Sequence, residues 1–98
     1  VLAHALAGVA DFRPSIVFYN AGVDPHADDR LGRLALTDAG LRARDAMVIG
    51  WALARGVPLT GVLGGGYDDD PHRLAARHAI LFEEAARAAK TAQCSSFV

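Results

Sequence analysis

Residues 57–67, Val-Pro-Leu-Thr-Gly-Val-Leu-Gly-Gly-Gly-Tyr, place a short apolar run directly before a glycine tract and a tyrosine. The run Val57 to Leu63 lacks alternation, as expected of a strand buried on both faces in a parallel sheet. Upstream of it, Gly56 is placed to end a helix at C′, with Pro58 just beyond. That helix is predicted to start at Thr37, an N-cap, with Asp38 in the first turn where the helix dipole favours an anion. Leu41, Met47, Val48, Trp51, Leu53 and Ala54 carry it to Arg55. A second β-branched and aromatic run, Ser15 to Asn20, lies further upstream. Strand, helix, strand with unalternating apolar runs predicts a parallel βαβ unit.

Outside this unit, Val1 to Ala10 reads as a helix ended by Phe12-Arg13-Pro14, because proline holds the residue before it extended. Asp70 before Pro71 supplies an N-cap and a first-turn proline for a last helix. It is predicted to run to about Lys90, with Leu74, His78, Leu81, Phe82 and Ala85 as its buried face and a frayed tail from Thr91 to Val98. Residues Ala21 to Leu36 show no period and read as a long loop, which in a compact domain is usually functional. The pattern is α/β with helices flanking a βαβ unit. Strands covered on both faces need further neighbours, so the chain is expected to be part of a larger sheet.

The chain has 98 residues, enough for one domain at most. Its net charge of −1, from 10 basic and 11 acidic residues, excludes a strong electrostatic claim on nucleic acid or anionic lipid. A hydrophobic content of 52% excludes disorder. The single cysteine, Cys94, excludes a disulfide framework and an all-cysteine zinc site; it reads as an ordinary free thiol. No stretch is apolar enough to cross a membrane, and the first ten residues lack the positive segment of a signal peptide, so a cytoplasmic location is expected.

In open parallel sheets, ligands bind outside the carboxyl ends of the strands. The first strand delivers Ala21-Gly22-Val23-Asp24 to that edge and the second delivers the glycines and Tyr67. Asp24 is a candidate cation ligand or, on spacing alone, a turn-former bonding backbone N–H groups. His26 is a candidate ligand or base, though a lone loop histidine is more often exposed and inert. Asp28 and Asp29 are candidate ligands or loop buttresses. His72 and His78 are six apart and do not share a helix face, and His4 carries no pattern. The glycine tract reads as a phosphate cradle, as a wall for close approach that presents Tyr67, or as a plain tight turn. Asp68, Asp69 and Asp70 follow at once and would repel a phosphate.

The segments YNAGVDPHADDRLGRLALTDAGLRARDAMV and VPLTGVLGGGYDDD resemble the zinc-dependent histone deacetylase superfamily, most closely its class IV and bacterial histone-deacetylase-like branch. The resemblance covers about Ile16 to Phe82. It implies the three-layer arginase/deacetylase α/β fold with a mainly parallel sheet. It implies hydrolysis of N-acyl-lysine or a related acylated amine by zinc-activated water. By the same resemblance Asp24 matches a zinc ligand and Tyr67 the catalytic tyrosine. Leu31 matches an apolar lining residue of the acyl tunnel, and Gly65 and Gly66 its wall glycines. Gly22 matches the glycine of the AG-x-D turn and Asp29 a structural loop aspartate. The family usually carries a glycine at or just before the position of Asp28, where this loop reads Ala27-Asp28-Asp29. The family's Asp-x-His and His-His pairs are absent from this sequence, so the chain is expected to be the C-terminal portion of such a domain. Two readings stand beside this one: a nucleotide- or phosphate-binding half-Rossmann module, and an inactive interaction fragment.

Overall fold

The computed structural model describes the backbone of residues 1–96 and the side chains of residues 1–92. Cys94 therefore lies outside the residues whose side chains are described. The order is α1 (Leu2–Phe12), β1 (Val17–Asn20), α2 (Asp38–Arg55), β2 (Leu59–Val62) and α3 (Pro71–Ser96). Strands β1 and β2 pair in parallel, with Val17 opposite Leu59 and Asn20 opposite Val62. The βαβ unit is thus present, with both strands shorter than the apolar runs that predicted them. Pro58 has no N–H to donate, and the ladder begins where Val17 N–H meets the Pro58 carbonyl at 2.9 Å.

Local capping follows the predicted chemistry. The Thr37 hydroxyl accepts the Gly40 N–H at 3.0 Å at the start of α2. Gly56 ends that helix in the left-handed conformation, φ 66°. The Asp70 carboxylate accepts the His72 N–H at 2.9 Å at the start of α3. Helix α1 closes on Arg13, also left-handed, one residue before Pro14. Helix α3 continues through the predicted frayed tail as far as Ser96.

Helices α2 and α3 cover one face of the strand pair. Ala21, Ile49 and Leu81 form one buried cluster, with Tyr19, Leu59 and Ala88 packed against it. Val23, Leu41 and Ile80 form a second, with Leu74 against it. The opposite sheet face is open among the described residues, where Phe18 is 70% exposed. The expected double coverage, and with it the three-layer arrangement, is therefore seen on one side. The predicted buried face of α3 is also corrected. Phe82 and Ala85 are exposed, whereas Arg77, Ile80, Leu81 and Glu84 are buried. The two charged residues are buried because they are paired. Glu84 accepts from Arg42 Nη1 and Arg87 Nη1, both at 2.9 Å. Arg77 Nη2 lies 2.9 Å from Asp68 Oδ2. Paired charges can occupy a helix face that isolated ones cannot. No helix among the described residues is long and apolar enough to cross a membrane.

Candidate functional site

The strand ladder continues beyond both strands and carries their loops out side by side. Ala21 N–H donates to the Val62 carbonyl at 2.9 Å, and Val23 N–H to the Gly64 carbonyl at 3.2 Å. This sets the Ala21–Asp24 turn against the glycine tract. Gly65 and Gly66 adopt φ 58° and φ 96°, the region that glycine occupies without strain. A Cβ on Gly65 would lie 2.8 Å from Asp24 Cγ and Oδ2, and one on Gly66 would lie 2.6 Å from Val23 Cγ2 and 2.7 Å from Leu74 Cδ1. The space a side chain would need at the two glycines is already filled by the chain's own atoms, the Asp24 carboxylate foremost. That carboxylate is half-buried. It accepts no hydrogen bond from the described residues, so the turn-former reading of Asp24 has no bond behind it.

Asp29 is buried, 8% exposed, and joins the two loops. Its Oδ2 accepts the N–H groups of Leu31 at 3.0 Å and Gly32 at 2.7 Å. Its Oδ1 accepts the Tyr67 N–H at 2.6 Å. Arg30 N–H in turn donates to the Tyr67 carbonyl at 2.8 Å, so the Tyr67 backbone is gripped at both polar groups. Burial by itself would raise the pKa of Asp29. The N–H groups of Tyr67, Gly32 and Leu31, helped by the charge of Arg77, outweigh it and hold the carboxyl below the usual carboxylate range. The Tyr67 ring is 43% exposed and its hydroxyl has no partner among the described residues. Leu31 is 60% exposed on the same loop rim.

The neighbouring candidates have other duties. His26 is buried, not exposed as expected. Its Nδ1 accepts the Asp28 N–H at 3.0 Å, so the proton sits on Nε2, which donates to Asp38 Oδ1 at 2.6 Å. With both ring nitrogens engaged, His26 is a loop brace. Asp28 keeps its side chain outside. The three aspartates after Tyr67 divide their roles. Asp68 accepts from the Asp70 N–H at 2.8 Å and from Arg73 Nη2 at 3.1 Å, and pairs with Arg77. Asp69 meets Arg30 Nη1 at 3.1 Å at the surface, and Asp70 caps α3.

Arg44 and Asp45, the helix Arg-Asp pair of the family pattern to which the sequence assigns no role, lie behind the Asp24 turn. Arg44 Nη1 donates to the Gly22 carbonyl at 2.7 Å, and its Nε donates to Asp45 Oδ1 at 3.0 Å. The Tyr19 hydroxyl donates to the same Asp45 oxygen at 2.5 Å. Burial, and then the bond to Asp45, push the Tyr19 phenol well above its ordinary value, which keeps it a donor. Adjacent Arg-Asp in a helix was the available signal, but which way the pair faces is not written in the sequence.

As a cation site the region is incomplete. No group of three or more His, Cys, Asp or Glu side chains able to hold a metal occurs among the described residues. A catalytic zinc takes three protein ligands. The unpartnered carboxylate of Asp24 fits one of them.

Residues 1–82 match the family model of the histone deacetylase domain. This chain belongs to the histone deacetylase family. An uncharacterized protein of Picosynechococcus is 45% identical to it over 86 residues, covering 87% of this chain and 29% of that protein. Histone deacetylase 2 of Arabidopsis thaliana is 36% identical over 66 residues, covering 67% of this chain and 17% of that protein. The chain thus spans less than a third of these relatives, and the matched region contains the Asp24 turn, the Asp29 brace and Tyr67 of this deacetylase-family segment.

Proposed function

We propose that this chain forms one wall of the active site of a zinc-dependent deacetylase acting on N-acyl-lysine or a related acylated amine. In this reading Asp24 is one zinc ligand and Tyr67 donates a hydrogen bond to the reacting carbonyl. Leu31, Gly65 and Gly66 border the acyl channel, and the remaining zinc ligands come from elsewhere in a longer domain. One observation carries the reading. A carboxylate and a phenol, both without partners among the described residues, belong to the two loops that leave the carboxyl ends of paired parallel strands, with Asp24 against Gly65 and the Asp29 brace on the Tyr67 backbone. Family membership supplies the reaction class.

Bound zinc supplies Lewis-acid polarisation of the amide carbonyl and brings the pKa of its water to about 7. The chain's own contribution is positional. Tyr67 is held by its backbone, so its hydroxyl is free to donate to the carbonyl oxygen as negative charge develops there. Leu31 offers an apolar surface to an acyl or alkyl chain. A nucleotide-binding reading is disfavoured, because the Asp24 carboxylate lies beside Gly65 and would repel a phosphate held by the glycine tract.

The test is steady-state kinetics of the full-length protein and its Tyr67→Phe variant, on an acyl-lysine peptide and an acylated polyamine. Loss of one oxyanion donor costs about 10²–10³ in kcat, roughly 2.7–4 kcal/mol of barrier, with little change in KM. A fall of less than about threefold on every substrate, against that expectation, makes Tyr67 structural. No turnover by the parent on any acylated amine makes the segment an interaction module.

A further inference from the structure

The peptide unit linking Gly22 to Val23 is held from both sides. In a planar trans peptide the C=O and the N–H point in opposite directions. The Val23 N–H reaches across to the Gly64 carbonyl at 3.2 Å, and the Gly22 carbonyl, on the other side, accepts Arg44 Nη1 at 2.7 Å. Asp24 is the next residue, and its carboxylate lies against Gly65. Arg44 is itself fixed. Its Nε is bonded to Asp45, which is 2% exposed, and its guanidinium stands 5.8 Å from the centre of the Tyr19 ring. Tyr19 on β1 anchors Asp45 from the strand side. Strand, helix and turn are thereby locked in one planar fork. A buried ion pair is a poor source of stability, since desolvation consumes most of its attraction. The bond to Gly22 gives this pair something else to do.

We infer that Arg44 is a positioning residue for Asp24: by clamping the Gly22 carbonyl it fixes the turn that aims the Asp24 carboxylate at a bound cation. The inference rests on the reading of Asp24 as a metal ligand. Lysine cannot replace the arginine fully, because one ammonium cannot hold the Asp45 carboxylate and the Gly22 carbonyl in the same planar geometry.

The experiment measures the zinc dissociation constant of the full-length protein by chelator competition, and the thermal midpoint of its metal-free form. The variants are Arg44→Met, Arg44→Lys, Asp24→Ala and Arg42→Met. Groups that orient a metal ligand are worth about 10–100-fold in metal affinity. Arg44→Met is expected to weaken zinc by that range and Arg44→Lys by less. Arg42→Met, which breaks the α2–α3 ion pairs with Glu83 and Glu84 away from the turn, lowers the midpoint and leaves zinc affinity alone. If Asp24→Ala abolishes tight binding while Arg44→Met shifts it by less than about twofold, against the range expected of an orienting group, the role of Arg44 is overturned and that of Asp24 stands. If Asp24→Ala leaves zinc bound as before, the metal-ligand reading falls and the Arg44 inference with it. Should Arg44→Met fail to fold, Arg44→Lys decides alone: unchanged zinc affinity overturns the inference and weakened affinity supports it.

Discussion

The side chain of Asp29 accepts the backbone N–H of Tyr67 at 2.6 Å across 38 residues of sequence. Its other oxygen holds the N–H groups of Leu31 and Gly32. One buried carboxylate therefore closes the loop after β1 and attaches it to the loop after β2. Replacing it by asparagine turns one acceptor into a donor that faces an N–H group. Asp29→Asn is expected to cost about 1–3 kcal/mol, the range for a buried polar group left unmatched. Its carboxyl is held below the ordinary aspartate value. A depressed value means that the stabilisation is complete above about pH 4 and is lost as pH falls through the lower folded value. Urea unfolding of the parent between neutral and acid pH should show that loss, and Asp29→Asn should flatten it. Equal slopes in parent and variant would remove the electrostatic part of the account.

Gly65 meets the Asp24 carboxylate at 2.8 Å from where a Cβ would stand, and its backbone is left-handed. Gly65→Ala is expected to cost about 1–2 kcal/mol in backbone strain and to push the Asp24 carboxylate aside. Under the proposed reading zinc content falls with it. Thermal denaturation and elemental analysis read the two effects separately. Normal stability with full zinc would show that the close approach carries no weight.

Leu31 is held by its backbone N–H and leaves its side chain exposed. Leu31→Arg is therefore expected to leave the unfolding free energy within about 0.5 kcal/mol of the parent, as for surface substitutions generally. Turnover of bulky acyl substrates should fall while zinc stays bound. An unchanged ranking of acyl groups would assign Leu31 to the loop surface only.

The 98-residue chain by itself exposes Phe18, Val62 and Leu63 around its strand pair, an unpartnered apolar surface. A two-stranded sheet with such a face is marginal in water. Sedimentation should find self-association, and hydrogen exchange should find weak protection in β1 and β2. A monomer with a sharp unfolding transition would contradict this.

The features legible in sequence were those settled within a few residues. Thr37, Gly56 and Asp70-Pro71 marked helix ends because capping is local chemistry. The misread features depend on distant partners. Glu84 is buried because Arg42, 42 residues away, reaches it, so a face chosen by apolar spacing favoured Phe82 instead. His26 is buried because Asp38 accepts its Nε2 proton, and no spacing rule names that partner. Asp24 and Tyr67 were legible as strand-end residues and through the family motif. Asp29 was legible as a loop buttress, the part it plays toward Leu31 and Gly32, but its hold on Tyr67 was not.

The Asp29 junction also constrains how such a segment can diverge. An insertion between Asp29 and Gly32 would drag on the same oxygen pair that seats Tyr67. Under the proposed reading, lengthening the loop to admit a new acyl group would then disturb the placement of Tyr67, the residue assigned to assist cleavage. Descendants that change diet are left with swapping side chains on a loop of fixed length, at outward positions such as Leu31 and Leu34. Substrate range in this lineage is expected to vary by residue identity, while the spacing from Asp24 to Gly32 stays constant.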